Sequence, residues 1–118
     1  MKIAIPTDGN RLEDMVAQHF GRCENYLLLD ENGRLSRILK NTSEHMGGTG
    51  LPPELLKKNG ADVLICAGLG PRAIELSAQV GLKVFTGPPV SASELFSMWK
   101  SGKLREATAE SACKHHSD

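Results

Sequence analysis

Between Ala61 and Phe85 the chain sets two short apolar runs on either side of an amphipathic segment, a pattern with few folded solutions. Ala61–Cys66 and Leu82–Phe85 are nearly continuous in apolar residues, as expected of strands covered on both faces. Between them Gly68-Leu69-Gly70-Pro71 opens a helix, with Pro71 near its first position and Gly81 just beyond its end. Strands joined by a helix in this way lie parallel with a right-handed crossover. The chain therefore needs a sheet with helices packed on it.

The remaining elements fit that plan. Lys2–Thr7 reads as an alternating strand that ends at Pro6, bounded by the turn signal Asp8-Gly9-Asn10, and Tyr26–Asp30 as a buried strand. Glu31-Asn32-Gly33 makes a hairpin turn into a more exposed strand at Leu35–Lys40. Leu12–Phe20 reads as a loop or a helical turn. After a loop over Asn41–Gly50, Pro52 and Pro53 start a helix that turns Leu51, Leu55 and Leu56 inward and ends at Gly60. A capping box of Ser91 and Glu94 starts the last helix, with Leu95, Met98 and Trp99 on its apolar face. The order β, loop, β, β, α, β, α, β, α predicts one mixed-sheet α/β domain over 1–106. Residues 107–118 read as a flexible polar tail.

With 14 basic and 14 acidic residues the formal net charge is zero, without the basic excess or stripe that nucleic-acid binding calls for. No apolar run approaches the ~20 residues that span a bilayer. The first residues enter a strand directly, with no export signature. The expectation is a cytoplasmic protein with neither nucleic-acid nor membrane partners. Cys23, Cys66 and Cys113 are then reduced thiols, and each is either buried filler or a metal ligand.

Ligands of open α/β sheets sit beyond the carboxyl ends of the strands, and three segments belong there. Thr7-Asp8 leads to His19-Phe20-Gly21-Arg22-Cys23, His45 precedes Gly47-Gly48-Thr49-Gly50, and Cys66 precedes Gly68-Leu69-Gly70-Pro71. Glycines 68 and 70 let backbone approach a ligand, and a helix start offers unpaired N–H groups and a positive dipole end. That suits an anion. The competing reading is that these glycines only shape tight turns, and the residues alone leave both open. His19 and Cys23, four apart, are soft ligands within reach of one metal, or a backbone-bonded histidine and a small core residue. Arg22 between them can bond an anionic cluster. Cys113-Lys114-His115-His116 has ligand-type residues but lacks the closed set of a structural zinc site.

Catalytic sets are missing. There is no phosphate-binding Walker loop, no nucleophile elbow and no Cys-x-x-Cys pair. Asp8 is the only carboxylate at a central strand end, where a two-metal site would gather several. The chain reads as a binding protein, not an enzyme.

Ile3-Ala4-Ile5-Pro6-Thr7-Asp8, His19-Phe20-Gly21-Arg22-Cys23, the run from Asn59 through Gly68-Leu69-Gly70-Pro71 to Ala73, and Val80-Gly81-Leu82-Lys83-Val84-Phe85 together resemble the dinitrogenase iron–molybdenum-cofactor biosynthesis family. The resemblance runs from Met1 to about Leu104. It implies a three-layer ribonuclease-H-like fold, with a five-stranded mixed sheet in the order 3-2-1-4-5 and helices on both faces. It also implies the binding, carrying or assembly of an anionic molybdenum-containing metal–sulfur cluster. The second metal would be iron, or copper as in one relative from sulfate-reducing bacteria, and cluster donor or acceptor proteins would be partners. Carried onto this chain, the cradle is Arg22, Gly47, Gly48, Gly50, Gly68, Gly70 and Pro71, and the metal-side groups are His19, Cys23, Cys66 and His45. Several family members have a cysteine in the loop that here reads Met46-Gly47-Gly48-Thr49-Gly50, which leaves two expectations: His45 and Met46 substitute as soft ligands, or the loop only wraps the cluster. The rival expectation is a regulatory, partner-binding module of the same fold without a cluster.

Overall fold

The computed structural model describes residues 1–18, 20, 23–41 and 52–107. Among them six strands form one open sheet: β1 (Ile3–Thr7), β2 (Asn25–Leu29), β3 (Leu35–Lys40), β4 (Val63–Cys66), β5 (Lys83–Thr86) and β6 (Arg105–Ala107), in the order β3-β2-β1-β4-β5-β6. Three helices accompany it, α1 (Pro52–Lys58), α2 (Pro71–Gln79) and α3 (Ala92–Lys100). β4 pairs parallel with β1 and with β5, whereas β1–β2, β2–β3 and β5–β6 are antiparallel.

The mixed α/β architecture agrees with expectation, but the sheet has six strands rather than five. The additional strand, β6, pairs Arg105 with Thr86 and Ala107 with Val84. Three residues beginning Arg105-Glu106 carry no apolar alternation, so the edge of β5 selects this strand and its own sequence does not announce it. It also runs across the boundary expected between residues 106 and 107. Of the segment Leu12–Phe20, residues 12–18 take the loop form: after a turn at Leu12 and Glu13, Met15 and Val16 make isolated bridges to Ser91 and Thr7.

Side-chain alternation divides the core in two. Ala4, Tyr26, Leu28, Leu39, Leu64, Cys66 and Val84 face Leu56 of α1 and, at its margin, Ala73 of α2. Ile3, Ile5, Leu27, Leu29, Val63 and Ile65 face Ala92, Leu95 and Phe96 of α3. Every residue of β1 and β4 is buried; the nearly continuous apolar run of β4 announces this in the sequence, and the alternation read for Lys2–Thr7 does not.

Local chemistry fixes the ends. At the β2–β3 turn the Arg34 and Asn32 N–H groups donate to Asp30 Oδ1 at 3.0 and 2.9 Å, which holds the Asp30 carboxyl below its usual range despite some desolvation. Gly33 completes the turn at φ 88°. Ser91 Oγ accepts from the Glu94 N–H at 3.2 Å and caps α3, as its sequence predicts.

Candidate functional site

β1 and β4 are parallel neighbours whose chains leave in opposite directions, β1 towards β2 and β4 through α2 to β5. This is the switch point at which open α/β sheets bind ligands. Pro6 makes it unusual. The β1–β4 ladder covers only Ile3↔Val63 and Ala4↔Leu64. The Thr7 carbonyl accepts from Glu24 N–H on the β2 side at 3.1 Å, so the Pro6 backbone faces the β4 side. Proline has no N–H to extend the parallel ladder there.

Its carbonyl instead accepts from Ala17 N–H at 2.9 Å, while Val16 N–H donates to the Val90 carbonyl at 2.9 Å. The segment Met15–Gln18 is thereby drawn alongside the carboxyl end of β1 and tied to the approach to α3. It ends against the turn after β4: a Cβ built on Gly68 would lie 3.5 Å from the Gln18 carbonyl oxygen. At the same rim Thr7 Oγ1 and Asn25 Nδ2 both donate to the Gly9 carbonyl, at 2.7 and 2.8 Å. Asp14 Oδ2 accepts from the Asn10 and Arg11 N–H groups at 2.9 Å each, which holds the Asp8–Asp14 loop closed on itself.

The turn Gly68–Pro71 delivers α2 to this rim. Gly70 is the N-cap residue with φ −72° and ψ 160°, and no side chain caps the helix. Pro71 has no N–H, and Ile74 N–H already donates to the Gly70 carbonyl at 3.1 Å. The N–H groups of Arg72 and Ala73 take no acceptor from any described residue. The first turn of α2 has no acidic residue, and it carries the exposed cation Arg72. Sequence reading noticed Arg72 only as part of a motif. Its signal was a cation one residue after Gly-Pro, at the positive end of a helix.

Neither Gly68 nor Gly70 needs to be glycine for its backbone. The positive-φ glycines among the described residues are Gly33, Gly60, Gly81 and Gly102. A Cβ at Gly70 would meet nothing within 4 Å, and one at Gly68 would make ordinary contact. The turn-shaping explanation therefore loses its physical basis at both positions.

The two described cysteines lie inside. Cys23 is 3% exposed in the α1–α2 core, and Asn41 Nδ2 donates to its carbonyl at 2.9 Å and approaches its Sγ at 3.9 Å. Cys66 is wholly buried at the carboxyl end of β4, with Sγ 3.9 Å from the Phe85 carbonyl. Burial pushes its thiol from 9.0 up to about 12, so at neutral pH it is protonated. An unfolded chain releases this proton near 9 and the folded chain only near 12. The stability tied to it is complete below pH 9 and is lost as pH rises from 9 to about 12. Urea unfolding across that interval is expected to decline less steeply for Cys66→Ala than for the wild type.

Of the expected site residues, Gly68, Gly70, Pro71, Cys66 and Cys23 are described, and the first four share the β4–α2 connection. His19, Arg22, His45, Gly47, Gly48 and Gly50, with the Cys113, His115 and His116 group, lie outside the described residues. No histidine is among the described residues, and the described Cys, Asp and Glu side chains form no group of three able to hold a metal ion. A groove of about 280 Å³ between α2, β5 and β6 is lined by Ile74, Ala78, Leu82 and Val84 and lies towards the opposite end of the strands. Among the described residues no helix is long and apolar enough to cross a membrane.

Residues 1–102 match the family model described as dinitrogenase iron-molybdenum cofactor. The chain belongs to this family. An uncharacterised protein of Methanocaldococcus jannaschii is 35% identical to it over 111 residues, covering 90% of this chain and 91% of the relative. The solved structure of a candidate NifB protein from Thermotoga is similar at a TM-score of 0.75 and 28% identity, over 89% of this chain and 91% of the other. The apo form of the orange protein from Desulfovibrio gigas has the same fold, with a TM-score of 0.78 at 23% identity over 90% and 92% of the two chains. The iron–molybdenum-cofactor match stops before Arg105, so β6 lies beyond it.

Proposed function

We propose that this member of the iron–molybdenum-cofactor family binds an anionic molybdenum-containing metal–sulfur cluster, with iron or copper as the second metal, and carries it or takes part in its assembly. The observation that carries this reading is the bare turn at Gly70. A glycine that neither backbone strain nor crowding demands leaves the Arg72 and Ala73 N–H groups without an acceptor among the described residues. Arg72 adds a cation where the dipole of α2 is already positive, an arrangement unfavourable by a few tenths of a kcal/mol until an anion lies beside it. A bulky sulfide cluster is such an anion, and it accepts hydrogen bonds from backbone N–H groups.

In this reading Gly68, Gly70 and Pro71 form one wall of the cradle, and Arg22, Gly47, Gly48 and Gly50 add charge and backbone. His19, Cys23, His45 and Cys66 are the soft groups. Cys66 ranks last among them as a direct ligand, because its thiolate would lie in an apolar core. The cluster is cargo, received from and released to partner proteins, and the protein is a carrier rather than a catalyst, built on the ribonuclease-H-like sheet that the resemblance implies.

The test is to incubate the purified protein with tetrathiomolybdate and either copper or iron, desalt it, and record visible spectra and metal content. A retained chromophore with molybdenum in fixed ratio to protein is expected. A colourless, metal-free protein would point instead to the partner-binding module without a cluster.

A further inference from the structure

β3 is an edge strand: among the described residues its only sheet neighbour is β2. Five of its six residues are exposed, with Leu39 alone buried. Leu35 is paired with Leu29 and Ile38 with Leu27, so both lie on the α3 face of the sheet. Yet α3 packs on β1 and β4 and leaves them uncovered, at 38% and 43% exposure. The charges of the strand are all positive: Arg37 and Lys40 make no ion pair with any described residue.

An open row of backbone donors and acceptors, two apolar side chains on one face and unpaired cations together describe a template for strand addition. A second copy of the chain fits it poorly, since antiparallel pairing of β3 with itself brings two sets of Arg37 and Lys40 together. We propose that β3 docks an extended, acidic segment of a partner protein as a seventh strand. Leu35 and Ile38 meet apolar side chains of that segment on the α3 face, where Lys40 meets a carboxylate at the end of the strand, and Arg37 meets a carboxylate on the other face. The register gives the edge a use: Lys40 pairs with Asn25 and Asn25 with Thr7, so the carboxyl end of β3 is level with the rim at the end of β1. A strand added there lies three strand spacings, about 14 Å, from β1. A partner held on β3 is therefore beside the candidate site. The docking surface stands on its own observations, whether or not the rim carries a cluster.

The test uses the full-length protein, labelled for amide NMR and titrated with an extended acidic peptide of Glu and Val that carries carboxylates on both faces. Its counterpart with every Glu replaced by Lys serves as the control. Saturable shifts and added exchange protection over Leu35–Lys40 are expected with the acidic peptide alone. The double variant R37E/K40E, altered only at exposed side chains, should bind that peptide about tenfold more weakly. No response at β3, a response elsewhere, or equal responses to both peptides would overturn the proposal. Protection of β3 that grows with concentration in the peptide-free protein would assign the edge to a second copy and overturn it equally.

Discussion

Replacing Gly33 with valine is expected to lower the unfolding free energy by about 3 kcal/mol, from a left-handed backbone penalty of about 1–2 kcal/mol and an overpacking penalty of similar size. Gly33 turns β2 into β3 at φ 88°, where a β-branched residue is strained in any surroundings. Its Cβ would also stand 2.7 Å from Cε2 of Phe96. That ring cannot easily move aside, because it is buried in the α3 core and its centroid lies 5.7 Å from that of Trp99. Gly60 separates the two causes. Its φ is 93°, but a Cβ there meets only the Lys2 side chain at 3.6 Å. Gly60→Val is therefore expected to lose about half as much. Urea melts of the two variants, compared at unchanged m-value, read out the difference.

The second large effect separates stability from function. Gly70→Asp is expected to raise the unfolding free energy by about 0.5–1 kcal/mol while weakening cluster binding by at least about tenfold. The existing φ of −72° and ψ of 160° suit an aspartate N-cap, and the space around the Cβ is empty. The new carboxylate would accept from the uncapped N–H groups of α2, which stabilises the helix. It would also take the place of an anionic ligand and repel it. Gly70→Asn supplies the same cap without charge, so it should keep only a few tenths of a kcal/mol of the stability gain and lose less binding. A thermal melt with a retention assay on all three proteins checks both halves. Equal binding by Gly70→Asp and wild type would remove the N-terminus of α2 from the site.

Some features of this fold were written plainly in the chain. The apolar run of β4, the Asn32-Gly33 turn and the Ser91 cap each follow from local physics that nothing distant overrides. β6 was hidden because Arg105–Ala107 is selected by the open edge of β5. The course of Met15–Gln18 was hidden for a related reason. Pro6 was legible as the end of a strand, but its effect on the β1–β4 ladder depends on which neighbour its backbone faces, and only the assembled sheet decides that. Of the site, the sequence marked Gly68, Gly70 and Pro71 as a candidate anion turn. It could not tell whether the turn required those glycines, because that depends on φ and on empty space. Nor could it show that Cys66 ends wholly buried, as a protonated thiol in an apolar core.

The central claim is that the β4–α2 turn holds the cargo, and backbone amide mapping tests it most directly. A complex of tetrathiomolybdate with copper(I) is diamagnetic and can be titrated into labelled protein. The amides of Gly68, Leu69, Gly70, Arg72 and Ala73 are expected to shift together and saturate with molybdenum uptake. Uptake with these five amides unmoved, and shifts confined to the Ala78–Val84 end of the strands or to the Cys113–His116 tail, would contradict the account.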